Sequence, residues 1–237
     1  MKSIFFCLLF VVGSFFGFGN DAQGATVSVF VPGSANPYLA GMPNGTTAPG
    51  GDSAPGQSPL LVTGLNISQT NYLSFSATGS ASYNGSSFYG PDGGLYFGSF
   101  FSRGSENGIS GLRVTVSALI GVFLDSQLPT TTPAPSDLDF EVLTRDFLTL
   151  SPELKQVFFI GDGRTSSSEI QKFYVPNGAT RLFLGTADGS QWVNNGGGFN
   201  TNITSYSQAA VPEPTSMAIF GLSALGFAYH SRRKGKA

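Results

Sequence analysis

Between residues 157 and 189 the apolar runs are short, and each is stopped by a glycine-bearing turn. "VFFI" (157–160) ends at "GDG", "KFYV" (172–175) at "PNG", and "RLFLGT" (181–186) runs into "ADG". Runs this short cannot form a helix of ordinary length, whereas Asn-Gly and Asp-Gly turns match the twist of paired strands. The pattern extends upstream. "TVSVFVPG" (26–33) alternates like a first or edge strand, and "LLVTGLNI" (60–67) and "NYLSFSATGSASY" (71–83) read as strands around a turn at 68–71. "LRVTVSALIGVFLD" (112–125) is a strand or bent strand pair buried on both faces. The expected fold is all-β, a jelly-roll-like β-sandwich with long loops.

Two segments interrupt this pattern. Residues 33–59, rich in Gly, Pro and Ser, form either a long ordered loop or a flexible segment. Residues 126–156 make an excursion from the sheet, with one short helical turn expected from Ser151-Pro152-Glu153. The stretch at 84–108 has the composition of a loop that lines a site.

The two ends read differently from the body. Lys2, an apolar run at 4–18 and then Ala22-Gln23-Gly24 describe a secretory leader over residues 1–24. At the other end, Pro212-Glu213-Pro214 breaks the chain, an apolar run at 215–229 follows, and Arg232, Arg233, Lys234 and Lys236 close it. That run is short for a membrane span, and the basic cluster holds its end in the cytoplasm. The intervening domain, residues 25–210, carries 7 Lys/Arg against 12 Asp/Glu, a net charge of 7 − 12 = −5. It has no basic patch for nucleic acid.

The only cysteine, Cys7, lies in the leader, and the only histidine, His230, lies in the tail. The body therefore has neither disulfide nor thiolate chemistry, and the usual catalytic constellations have no base. Three further motifs stand against this background. "GDSAP" (51–55) is similar to the nucleophile block of a family of secreted lipases and esterases, but it lacks a partner base, so Asp52 is expected to accept backbone N–H bonds in a turn. Asp137, Asp139 and Glu141 make a solvated acidic edge. "GDGR" (161–164) is a tight turn without the helix that a phosphate loop needs. The chain is expected not to be an enzyme.

The loop "GTADGSQWVNNGGGFN" (185–200) holds the only Trp, an Asp and two adjacent Asn. It is either a plain hairpin turn or a cation cage. Asp188, Asn194 and Asn195 offer the oxygens that a hard cation such as Ca²⁺ takes, with one formal charge among them. Gly196–Gly198 would let the chain turn sharply after the pair. Trp192 and Tyr89, beside glycines, are candidates for stacking on sugar rings.

The tail at 211–237 resembles the PEP-CTERM sorting signal of Gram-negative bacteria in its Pro-Glu-Pro triplet, short span and Arg-rich end. That resemblance implies cleavage by an exosortase, transient anchoring in the inner membrane and delivery to the outer membrane, cell surface or matrix, often beside exopolysaccharide. The body at 157–203 resembles the soluble bacterial galactophilic calcium lectins through "FFIG", "KFYVPNGATRLFLGTADG" and "NNGGGFNTNI", with "ASY" (81–83) and "GPDG" (90–93) upstream. The resemblance implies a calcium ion held by Asp188, Asn194, Asn195 and the backbone carbonyls of Tyr83 and of Gln191 or Trp192. It also implies sugar hydroxyls on the ion and Asp92 at the sugar. The Asp-to-Asn spacing here is one residue shorter than in those lectins. Two function classes follow: calcium-dependent binding of a galactose-type sugar or exopolysaccharide, or a structural matrix protein without a small-ligand site.

Overall fold

The computed structural model describes residues 22–207. The expected leader, apart from its last residues, and the whole sorting tail (Pro212, Glu213, Pro214, Arg232 and Arg233 included) lie outside the described residues. Within them every regular element is a β-strand or a single 3₁₀ turn. None is a helix long and apolar enough to cross a membrane.

The largest sheet is built on three long strands. Tyr72–Ser82 and Gly196–Ser207 pair antiparallel along their whole length, and Ala22–Pro32 adds to the other side of Gly196–Ser207. The last strand of the domain therefore lies between the first strand and a central one. Phe88–Tyr89 pairs with the end of Tyr72–Ser82, and the far edge is completed by Lys172–Tyr174 and Thr149–Leu150. A second sheet runs in the order Val157–Phe159, Leu119–Leu124, Arg181–Thr186, Leu60–Leu61.

One apolar core lies between these two sheets. Val31, Leu73, Phe75, Phe173, Phe199 and Ile203 of the first meet Leu119, Phe123, Phe158, Leu182 and Leu184 of the second. This alternation of inward and outward residues is what a sandwich requires. The second sheet is buried on its other face too, where Ile120, Val122, Leu124, Val157, Phe159 and Phe183 meet Tyr38, Leu112, Val114, Phe140 and Trp192. Every residue of Leu119–Leu124 is consequently buried.

The cover over that second face comes partly from the two segments that interrupt the strand pattern, through Tyr38 and Phe140, and partly from Leu112, Val114 and Trp192. Residues 33–59 are ordered: they hold the 3₁₀ turn Pro37–Leu39 and the small Thr47–Ala48/Asp52–Ser53 pairing. The excursion at 126–156 contributes Leu138–Asp139, which pairs parallel with Leu112–Val114, itself paired with Phe101–Arg103. The acidic residues expected to make a solvated edge lie on or beside the edge strand of this small sheet, exposed or half-exposed. Arg113 bridges Asp139 and Glu141, and Asp137 accepts the Gly111 N–H. The helical turn expected at 151–156 is absent. A reverse turn stands there, with Lys155 at φ 66°, and the Lys155 ammonium donates to the Thr132 and Pro133 carbonyls and the Thr132 hydroxyl.

The run at 112–125 is a bent pair, broken at Ser117 (φ 60°). The glycine run does not make the sharp turn expected of it. Gly196–Gly198 begin the last strand, with Gly197 at φ 69° and Gly198 at φ 158°. A Cβ on either would run into the backbone of the neighbouring strands, at Ser80 and Val31.

Candidate metal and carbohydrate site

The loop at 187–195 links the second sheet to the first. At its start Ala187 is fastened by backbone bonds in both directions, its N–H to Ala118 and its carbonyl to Ser117. At its end the 3₁₀ turn Trp192–Asn194 delivers the chain into the last strand. That turn begins on a buried carboxylate. Asp52, fully buried, accepts from Trp192 N (3.1 Å), Val193 N (2.9 Å) and Asn36 Nδ2 (3.2 Å). Two of the N–H groups that a turn leaves unpaired at its start are thus satisfied by a side chain from far along the chain. Asp52 does accept backbone N–H bonds, but from this loop rather than from its own turn.

Trp192 corrects another expectation. Its ring is fully buried, so it cannot stack on a sugar. The indole N–H donates to the Thr186 carbonyl at 2.9 Å, and the ring meets Tyr38 edge-on at 5.9 Å. The Arg103 guanidinium lies over both rings, 4.8 Å from Tyr38 and 5.3 Å from Trp192, and also bonds the Gly189 carbonyl and Glu106. An apolar ring with its one polar atom satisfied is stable in the core, and here it anchors the loop from beneath.

Above this anchor lies a cleft of about 290 Å³ lined by Tyr83, Asn84, Tyr96, Phe101, Asp188, Gln191 and Asn194, among others. It stands at the end of the large sheet where Ser82 pairs with Gly196. Of the expected ion-binding residues, Tyr83, Asp188, Gln191 and Asn194 share this cleft, and Asn195 is next along the loop. Gln191 adopts the left-handed backbone region (φ 62°, ψ 45°). Its carbonyl accepts from Asn194 N and that of Trp192 from Asn195 N, which leaves each a second lone pair. Asn194 donates to Gln191 Oε1, and Asn195 donates to the Gly33 carbonyl at 3.1 Å.

The electrostatics of Asp188 are unusual. The residue is only 6% exposed. One oxygen accepts the Gly189 N–H at 2.6 Å, while Oδ2 is buried with no hydrogen-bond partner, as is Asn195 Oδ1. Burial pushes its carboxyl up to about 6, only partly offset by the Gly189 N–H bond and the nearby Asn195 amide and Ser190 N–H dipoles. Among the described residues no ion pair reaches it. Buried oxygens without donors are costly in a folded protein, and an oxygen-seeking cation is one group that would satisfy both. The donor set, one carboxylate with amide and backbone carbonyls, has the chemistry that calcium takes. Among the described residues there is no group of three or more His, Cys, Asp or Glu that could hold a metal, so any cage here rests on one carboxylate with amide and carbonyl oxygens.

Two expected residues stand apart from the ion-binding set. Tyr89 is half-buried and stacks on Tyr83, with ring centroids 6.4 Å apart. Asp92 lines a different and larger cleft with Asp162, Arg145 and Arg164, and accepts the Asp162 N–H. It is not brought to Asp188. Sequence reasoning missed Arg103 and the loop-holding role of Asp52, because neither has a local signal for partners so distant.

Residues 210–234 match the PEP-CTERM protein-sorting motif. No curated protein and no solved structure matches the chain. The body's resemblance to the calcium lectins gains no support from these comparisons. The sorting motif implies export, membrane-associated sorting of the C-terminus and recognition there by an exosortase.

Proposed function

We propose that the protein is delivered to the cell surface or extracellular matrix and binds carbohydrate there through a calcium ion in the Asp188 cleft. In this reading residues 1–24 are removed as a leader, the sandwich is jelly-roll-like, and the domain is a binding module rather than an enzyme. The observation that carries it is the pair of buried, unpartnered oxygens, Asp188 Oδ2 and Asn195 Oδ1, on the loop that forms the wall of the cleft. Asp188, Asn194 and Asn195 would hold the ion with the Tyr83 and Gln191 carbonyls. When bound, the ion offers its remaining positions to sugar hydroxyls. Asp52 and the buried Trp192 fix the turn that presents the two Asn residues, so the site is built largely before ligand arrives.

The test is a thermal melt with calcium and with chelator, alongside retention on galactose and polysaccharide resins. Wild type should gain several degrees with calcium and Asp188→Ala none. A wild-type protein indifferent to calcium would refute the reading. A second reading, a structural matrix protein, is favoured by the depth at which Trp192 and Asp52 are built into the core. It takes over if calcium binds and no glycan is retained.

A further inference from the structure

Beside the Asp188 cleft a row of aromatic rings leads away from it. Tyr89 stacks on Tyr83 (19° between planes). Tyr83 meets Tyr96 edge-on at 5.5 Å, and Tyr96 meets Phe97 edge-on at 4.6 Å. Tyr83 and Tyr96 line the cleft itself, so the row is continuous with it. Phe97 is the outer end, and it is 87% exposed.

Phe97 sits at the tip of a tight turn in which Tyr96 and Ser99 exchange backbone hydrogen bonds, at 2.8 and 3.0 Å. Its φ is 47°, in the left-handed region that a bulky side chain seldom adopts. The fold thus holds an apolar ring in water on a disfavoured backbone, and its only ring contact is with Tyr96. Such an arrangement is unfavourable for stability on both counts and points to contact with a ligand.

We propose that the glycan is bound as a chain of at least two sugar units, one in the cleft and the next against Tyr96 and Phe97. This rests on the carbohydrate reading above and narrows it to a polysaccharide segment that spans two adjoining subsites. The C–H face of a sugar ring is weakly electropositive and is attracted to the negative face of an aromatic ring. Among the described residues no Lys or Arg lines the cleft, so apart from the ion the contacts on offer there are aromatic faces and neutral polar groups. The placement also fits a polymer outside the cell. The cleft lies where the last strand starts, at Gly196, whereas the chain leaves the domain at Ser207, about 36 Å away at the rise of a β-strand.

The test compares the full-length protein with its Phe97→Ala variant in native gels cast with galactan, mannan or dextran, and in titrations with the matching monosaccharides. The calcium-induced thermal shift is measured in parallel. The exposed Phe97 side chain leaves the core untouched, so the variant should keep the calcium shift and bind a monosaccharide as wild type does. Its retardation by the polysaccharide that holds wild type should weaken about tenfold. Equal retardation of the two proteins overturns the proposal, as does the absence of retardation by any of the polymers. Binding of wild type, but not of the variant, to phosphatidylethanolamine–phosphatidylglycerol vesicles, with polysaccharide binding equal in both, overturns it too and assigns the tip to a membrane. Loss of the calcium shift in wild type would be a failure of the carbohydrate reading itself, separately visible.

Discussion

Asp52→Asn tests whether the candidate site depends on a carboxylate that never touches it. The substitution keeps the shape of the side chain but replaces one oxygen by an N–H₂ group. The native carboxylate accepts three hydrogen bonds, from Trp192 N, Val193 N and Asn36 Nδ2, in a fully buried setting. After the change at least one backbone N–H faces a donor and is left unpaired, at a cost of about 1–3 kcal/mol. The bonds that survive lose their charge assistance, roughly another 1 kcal/mol in all. A total near 3 kcal/mol lowers the melting temperature by about 6–12 °C in a domain of this size. The melt is followed by far-ultraviolet dichroism and by the fluorescence of Trp192, the only Trp in the chain and a member of the affected turn. Calcium-induced stabilisation should shrink as well, because Asn194 and Asn195 lose their fixed presentation. A variant that melts within about 2 °C of wild type would refute the reasoning and show that ring packing alone holds the turn.

Three further outcomes follow from other contacts. Because burial pushes Asp188 up to about 6 from 3.8, the folded state holds a proton that the unfolded chain releases near pH 4. Without calcium, the stabilisation from this group is complete below about pH 4 and is lost as pH rises to about 6, roughly 3 kcal/mol over the window, readable in urea melts. The ion requires the carboxylate, so the calcium-induced shift should fade as pH drops below about 6. Trp192 should emit as a buried indole, resist iodide quenching and stay unchanged on adding sugar; ready quenching would show the ring exposed. Lys155→Met removes the ammonium that gathers the Thr132 and Pro133 carbonyls, and limited proteolysis should then cut within 126–156 faster than in wild type.

What the sequence made legible was local. Turn chemistry at 161–163, 176–178 and 187–189 is written in adjacent residues, and strands do end there. The burial of Leu119–Leu124 on both faces was readable from its unbroken apolar run, though not what covers it. Part of that cover, Tyr38 and Phe140, comes from segments whose Gly, Pro and Ser content carries no periodicity. The site divides in the same way. Asp188, Asn194 and Gln191 are near neighbours in sequence and share one cleft, and Tyr83 joins them only because Ser82 pairs with Gly196. Trp192 was misread because the side on which a ring is buried depends on Tyr38 and Arg103, which no local pattern links to it. Asp92 was misplaced for the converse reason. A Gly-Pro-Asp-Gly turn says that the residue is on a loop, and not which cleft the loop borders.

The position of the last strand bears on when the domain can fold. Gly196–Ser207 fills the gap between Ala22–Pro32 and Tyr72–Ser82, so the first strand has no partner, and the central one only its short ones, until residues 196–207 are supplied. Contacts of such long sequence separation form slowly, and their closure cost precedes any gain from pairing. Until that strand is in place the large sheet stays open, and the unpaired strand edges remain vulnerable to mispairing. The final strand arrives only as the sorting motif at 210–234 follows it. Along the chain, the strand that completes the sheet and the sorting motif are therefore neighbours, so a chain cut short before residue 196 lacks both.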